Sequence, residues 1–142
     1  MAPPKVVLTP KTQASLYYAK ARQFAESAAA AARDGSRNDS AVLCAVHAGI
    51  SAADAVSVAL GGRRSADPDH QRAVQLLEQV AGGASSIKQH ADQLRALIRQ
   101  KNRVEYEDKL ASAADARDAV ARCERLVSWA RDELVRARLL TD

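Results

Sequence analysis

From Asp39 to Leu60 the chain reads DSAVLCAVHAGISAADAVSVAL, and after the first aspartate only His47 and Asp54 interrupt its apolar and small residues. Val42, Val46, Gly49, Ala53, Val56 and Leu60 recur at steps of four and three, the helical period. Leu43 and Ile50 widen the stripe, while Cys44, Ala48, Ala55 and Val58 leave little polar surface opposite it. A helix apolar around most of its circumference must be surrounded by other helices. The expected fold is therefore all-α, an up-and-down bundle of four to five helices with this segment at its centre.

The rest of the chain is read around that helix. Apolar residues make up 47 % of the sequence but aromatics only 4 %, so the core must be mostly Ala, Val and Leu. Alanine favours helix and lets helix axes approach closely. With 142 residues the chain fits one domain, expected over 9–142 behind an irregular, flexible arm over 1–8. Thr9-Pro10 reads as a helix start, a capping side chain followed by a proline at the first helical position. Tyr17, Ala21, Phe24 and Ala28 then share one face of a first helix ending near Asp34-Gly35. Asn38 is expected to cap the central helix and Gly61-Gly62 to end it.

Asp67-Pro68 opens a third segment with Val74, Leu77 and Ala81 inward. Gly82-Gly83 interrupts it as a kink or a full turn, and Ser85 or Ser86 restarts a helix carrying Ile87, Ala91, Leu94, Leu97 and Ile98. Ser112-Ala113-Ala114-Asp115 is an acidic capping box. The last helix after it has its stripe on Ala116, Val120, Cys123, Val127, Ala130, Leu134 and Ala137.

Several chemistries lack their residues. The histidines are scattered, with no metal constellation, so no metal or cofactor is expected. No phosphate-cradling glycine loop occurs, nor a Ser or Cys nucleophile beside a base. Cys44 and Cys123 read as reduced core thiols. No charged-then-apolar leader opens the chain, and no apolar run is read as spanning a membrane, which together point to a cytoplasmic protein. The net charge of +4, with both signs interleaved, permits nucleic-acid contact without demanding it.

Chemistry concentrates in Arg99-Gln100-Lys101-Asn102-Arg103-Val104-Glu105-Tyr106-Glu107-Asp108, expected where one helix ends and the next has yet to begin. Lys101 continues the line of Leu94 and Leu97 toward Val104, which lays its stem on packed surface with the ammonium at an edge. Tyr106 is one of few aromatics.

The helix order, the GISAADAV of the central helix and the basic-Asn-x-x-x-aromatic element Lys101-Asn102…Tyr106 resemble HEPN domains, over most of residues 10–138. The resemblance implies a small helical bundle that commonly dimerises through this element. Active members are metal-independent ribonucleases carrying Arg, often followed by Asn, then four to six residues and a His. Some pair with a small nucleotidyltransferase as a toxin–antitoxin-like couple, in which a Tyr of the toxin lies two places beyond the His. Here Lys101 stands at the Arg position, Tyr106 at the His position and Asp108 at that Tyr. A phenol titrating near 10 is no general base at neutrality, and lysine holds phosphate without the guanidinium's fork. The resemblance thus implies a degenerate site, non-catalytic, that binds a nucleotide, an RNA phosphate or a protein partner in a homodimer.

Around that site, Asp54 and His47 read first as satisfied core polars tied to Ser, Tyr or the charged stretch across the bundle; the functional reading has Asp54 holding Lys101 or bonding Tyr106. His47, about 10 Å from Asp54 along the axis, shares its line. Arg63 and Arg64 precede His70 at the same Arg-to-His spacing, but the start of the third segment reads as the wrong place in the bundle. The enzyme alternative is a ribonuclease with a rearranged site using His47 or His70, and the bland alternative is a structural scaffold. His90 reads as solvent-facing. Trp129 falls among Arg122, Arg125, Asp132 and Arg136, and reads with Arg125 as an interface residue, covered by the first helix, the arm or a dimer partner.

Overall fold

A computed structural model describes residues 5–82 and 85–141. Five helices pack together: α1 (Ala14–Asp34), α2 (Asn38–Gly61), α3 (Gln71–Val80), α4 (Ser85–Tyr106) and α5 (Ala113–Arg136). The all-α bundle is as expected. Its centre is α2, which packs on each of the other four helices. Ala45, Val46, Ala48, Ala52, Ala53, Val56 and Val58 of α2 are essentially sealed from solvent.

Small residues set the spacing of the core. A Cβ on Gly49 would lie 2.8 Å from Leu97 Cδ1 and 3.2 Å from Leu126 Cδ1, so α4 and α5 close onto α2 where a side chain is missing. Leu94, Leu97 and Leu126 are fully buried around that contact, and each fully buried leucine contributes on the order of 2 kcal/mol of apolar transfer. By length and hydropathy α2 would suffice to cross a membrane, contrary to the reading that no run does. Yet 67 % of its most apolar stretch is buried by neighbouring helices, as in the core helix of a soluble bundle.

Helix ends follow local chemistry with some corrections. Ser112 caps α5 by accepting from Asp115 N, while Asp115 returns a bond to Ser112 N, so both halves of the capping box form. Gly62 ends α2 at φ 65° with its N–H on Val58 O. Asn38 is not the cap of α2; it is the first helical residue, preceded by Arg37. Thr9 does not cap α1. Its hydroxyl donates to Val7 O, its N–H to Gly62 O, and a 3-10 turn over Lys11–Gln13 leads into the helix. The Asp67-Pro68 start is displaced: Asp67 accepts from Asp69 N and Asp69 from Gln71 N, and α3 begins only there. Gly82, at φ 64°, belongs to a full turn, since α3 ends at Val80 and α4 starts at Ser85. Gly83 lies outside the described residues.

The arm expected over residues 1–8 is regular where it is described. Val6–Leu8 (β1) pairs antiparallel with Arg63–Ser65 (β2), Val7 opposite Arg64. Bonds from Thr9 N to Gly62 O and from Ala66 N to Lys5 O extend the ladder at both ends. On α5 the buried line is Ala116, Ala119, Cys123, Leu126, Ala130 and Leu134; Val120 and Val127 flank it and Ala137 is exposed.

Candidate functional site

The charged stretch is not a connection. Arg99 to Tyr106 form the last two turns of α4, and helical geometry divides the side chains expected to share one cleft. Residues 101 and 106 are about 140° apart around the axis. Lys101 is largely covered, 17 % exposed, and bonds Glu105 at 2.9 Å one turn on. Tyr106 is 80 % exposed. Asn102 faces a different groove, between α4 and α5, beside Arg99, Arg103 and Arg122.

Lys101 instead belongs to a constellation along the open stripe of α2. Leu43, His47, Ile50 and Asp54 emerge on that stripe between α1 and the chain that runs from β2 into α3. On the α1 side, Phe24 lies 5.5 Å from His47 between ring centroids. One step along, the Arg64 guanidinium of β2 and the Lys20 ammonium stand 5.4 and 5.6 Å from the Tyr17 ring. These cations also reach Asp54. Burial pushes that carboxyl up to about 7, against the opposing pull of Arg64 and Lys20. Among the described residues the Asp54 side chain makes no hydrogen bond, to Lys101, Tyr106 or any other group, so the satisfied-polar reading does not hold and the Lys101 or Tyr106 pairing does not form.

On the other side of the stripe sits His70, half-buried at the head of α3. Burial holds its imidazole below the ordinary value, nearby Lys101 and His47 lower it further, and Asp69 and Glu105 pull the other way. Sequence position had put His70 in the wrong part of the bundle. The β1–β2 pairing turns the chain back across α2 and brings His70 into the surroundings of His47 and Lys101. Its one sequence signal was the Arg-to-His spacing.

Trp129 is 7 % exposed, and His90 of α4 covers it in a parallel stack, with centroids 4.3 Å apart and planes at 7°. Among the described residues His90 supplies this cover, so it is not a free surface residue. Its Nδ1 lies 2.6 Å from Ser86 O, which fixes the ring. Arg125 is exposed on the rim of the shallow groove beside the stack.

The cysteines remain free. Cys123 is buried; its thiol donates to Val120 O and burial pushes it up to about 12, with Glu124 and Cys44 adding to the shift. Among the described residues no group of three or more His, Cys, Asp or Glu is placed to hold a metal ion. The chain matches no protein-family model, no curated protein and no solved structure.

Proposed function

We propose that this chain is a non-catalytic, HEPN-like binding module, a cytoplasmic homodimer that takes an anion, a nucleotide or RNA phosphate, on the open face of α2. The convergence of the cations Lys20, Arg64 and Lys101 from three elements along the stripe that bears His47 and faces His70 carries this reading. Cations gathered from separate elements attract phosphate over a wider area than one helix could. Catalysis is set aside because the residue at the family's His position, Tyr106, is a phenol far out in solvent. Lys101, held by Glu105, serves as a point charge for phosphate.

The test is titration of a labelled short single-stranded RNA, with product analysis on the same samples and light scattering for the dimer. Binding without cleavage is expected, weakened about tenfold by Lys101→Glu, a loss of about 1.4 kcal/mol. Turnover abolished by Tyr106→Phe or Lys101→Ala would overturn the non-catalytic assignment. A pure scaffold would show no affinity and indifference to Lys101→Glu.

One observation favours an enzyme as the second reading. His70, whose imidazole burial and nearby Lys101 hold below its ordinary value, stands near His47 and Lys101. A neutral imidazole beside a cation is what proton abstraction from a ribose 2′-hydroxyl requires. Cleavage that survives both His47→Ala and His70→Ala would rule it out.

A further inference from the structure

The last turns of α4 carry a second set of cations on the side away from Lys101. Arg99 and Arg103, four residues apart on one face, border a groove of about 530 Å³ whose far wall is Arg122 of α5. Among the described residues neither the Arg99 nor the Arg103 side chain makes a hydrogen bond or ion pair, so both forks are open. Arg122 is fixed by contrast: its Nε donates to Asp118 at 2.9 Å and an Nη donates to Gln93, also at 2.9 Å. Asn102 adds an amide at the rim. Gln100, 5 % exposed, sits at the floor; its Nε2 donates to Asp115 O at 3.3 Å and its Oε1 is buried without a partner. Asp118 is the one carboxylate among the lining residues, and Asp115, held in the Ser112 cap, lies beyond them within the field of Arg103.

We infer that this α4–α5 groove is a binding site for a phosphomonoester dianion, separate from the open face of α2. Three guanidiniums face one lining carboxylate, with Asp115 behind Arg103, so the lining is net positive toward the nearly double charge of a monoester near neutral pH. Guanidinium forks suit phosphate oxygens bidentately, and each such bond is charge-assisted. The volume lies within the range of small-ligand sites, so the esterified group has room beside its phosphate. Arg122, preset by Asp118 and Gln93, gives the fixed wall, and Arg99 and Arg103 fold onto the ligand from exposed positions.

The site is tested by calorimetric titration of the full chain with inorganic phosphate, ribose 5-phosphate, AMP and dimethyl phosphate at one ionic strength. The three dianions are expected to bind, and the singly charged diester at least about tenfold more weakly. Arg99→Gln with Arg103→Gln, both exposed and unpaired, should weaken the dianions by about tenfold or more, while Lys88→Gln, exposed earlier on α4 and outside the groove, changes them less than about twofold. Arginine side-chain NMR shifts at Arg99, Arg103 and Arg122 on adding phosphate give a readout independent of any variant. No dianion binding, equal binding of the diester, or dianion binding unchanged in the arginine pair would each overturn the inference. The single-stranded RNA titration responds to Lys101→Glu, so failure of one site is distinguishable from failure of the other.

Discussion

The two faces of α2 differ in what decides them. On the inner face, Ala45, Gly49, Ala52, Ala53 and Val56 meet leucines of α4 and α5 with no polar group to satisfy. On the outer face, His47 and Asp54 stand among cations and aromatic rings, and the Asp54 carboxyl is set by burial against the pull of Arg64 and Lys20. Packing specifies the first face, so a change of a methyl group there is felt at once. Electrostatics specifies the second, where shape tolerates change and pH matters.

The strongest way to break this contrast is at the inner contact. Leu97→Ala should cost about 3 kcal/mol in chemical denaturation, from lost burial plus the cavity left behind. Gly49→Ala sharpens the point. In the native background its methyl group meets Leu97 at 2.8 Å, whereas in the Leu97→Ala background that closest contact is gone, Leu126 Cδ1 at 3.2 Å remains, and more of the gain in helix propensity emerges. A double-mutant cycle should therefore give a favourable coupling of about 1 kcal/mol. Simple additivity would mean that the inner face is looser than its distances indicate.

The outer face should respond with opposite sign. Asp54 has a folded pKa near 7, above its unfolded value, so folding favours its protonated form. The native chain therefore loses stability as pH rises from about 4 toward 7, and the deficit persists above that. Asp54→Asn should be more stable than the native chain at pH 8, by about 1 kcal/mol after allowance for partial solvent screening. That advantage should vanish near pH 4, and a pH-independent gain would point to packing instead. The smallest effect is expected for exposed His47→Ala, within about 0.5 kcal/mol, since only the tilted contact with Phe24 is lost. A larger loss would place His47 in the core.

Much of the frame was legible in the chain because it rests on local chemistry. The uncharged run defined the central helix, Gly62 its end and Ser112-Asp115 the start of α5. The covered stem of Lys101 followed from its place in line with Leu94 and Leu97. What escaped depends on partners distant in sequence. Val6–Leu8 looks like an arm until Arg63–Ser65 is beside it, because three residues carry too little pattern to declare a strand. His70 looked misplaced until that pairing returned the chain across α2. Tyr106 and Lys101 looked like neighbours because a loop was expected where the helix continues, and two more turns of α4 swing them apart. Trp129 on an arginine-rich face looked unburied because its cover is another polar-edged ring, His90, which hydrophobic periodicity does not count.

That ring pair has a practical consequence. Trp129 is the chain's single tryptophan, so its emission arises wholly at the seam of α4 and α5. With an imidazole lying flat on the indole, any shear between those helices would change the surroundings that set this emission. The molecule thus carries its own optical strain gauge, set into the same helix pair whose groove holds Arg99, Arg103 and Arg122.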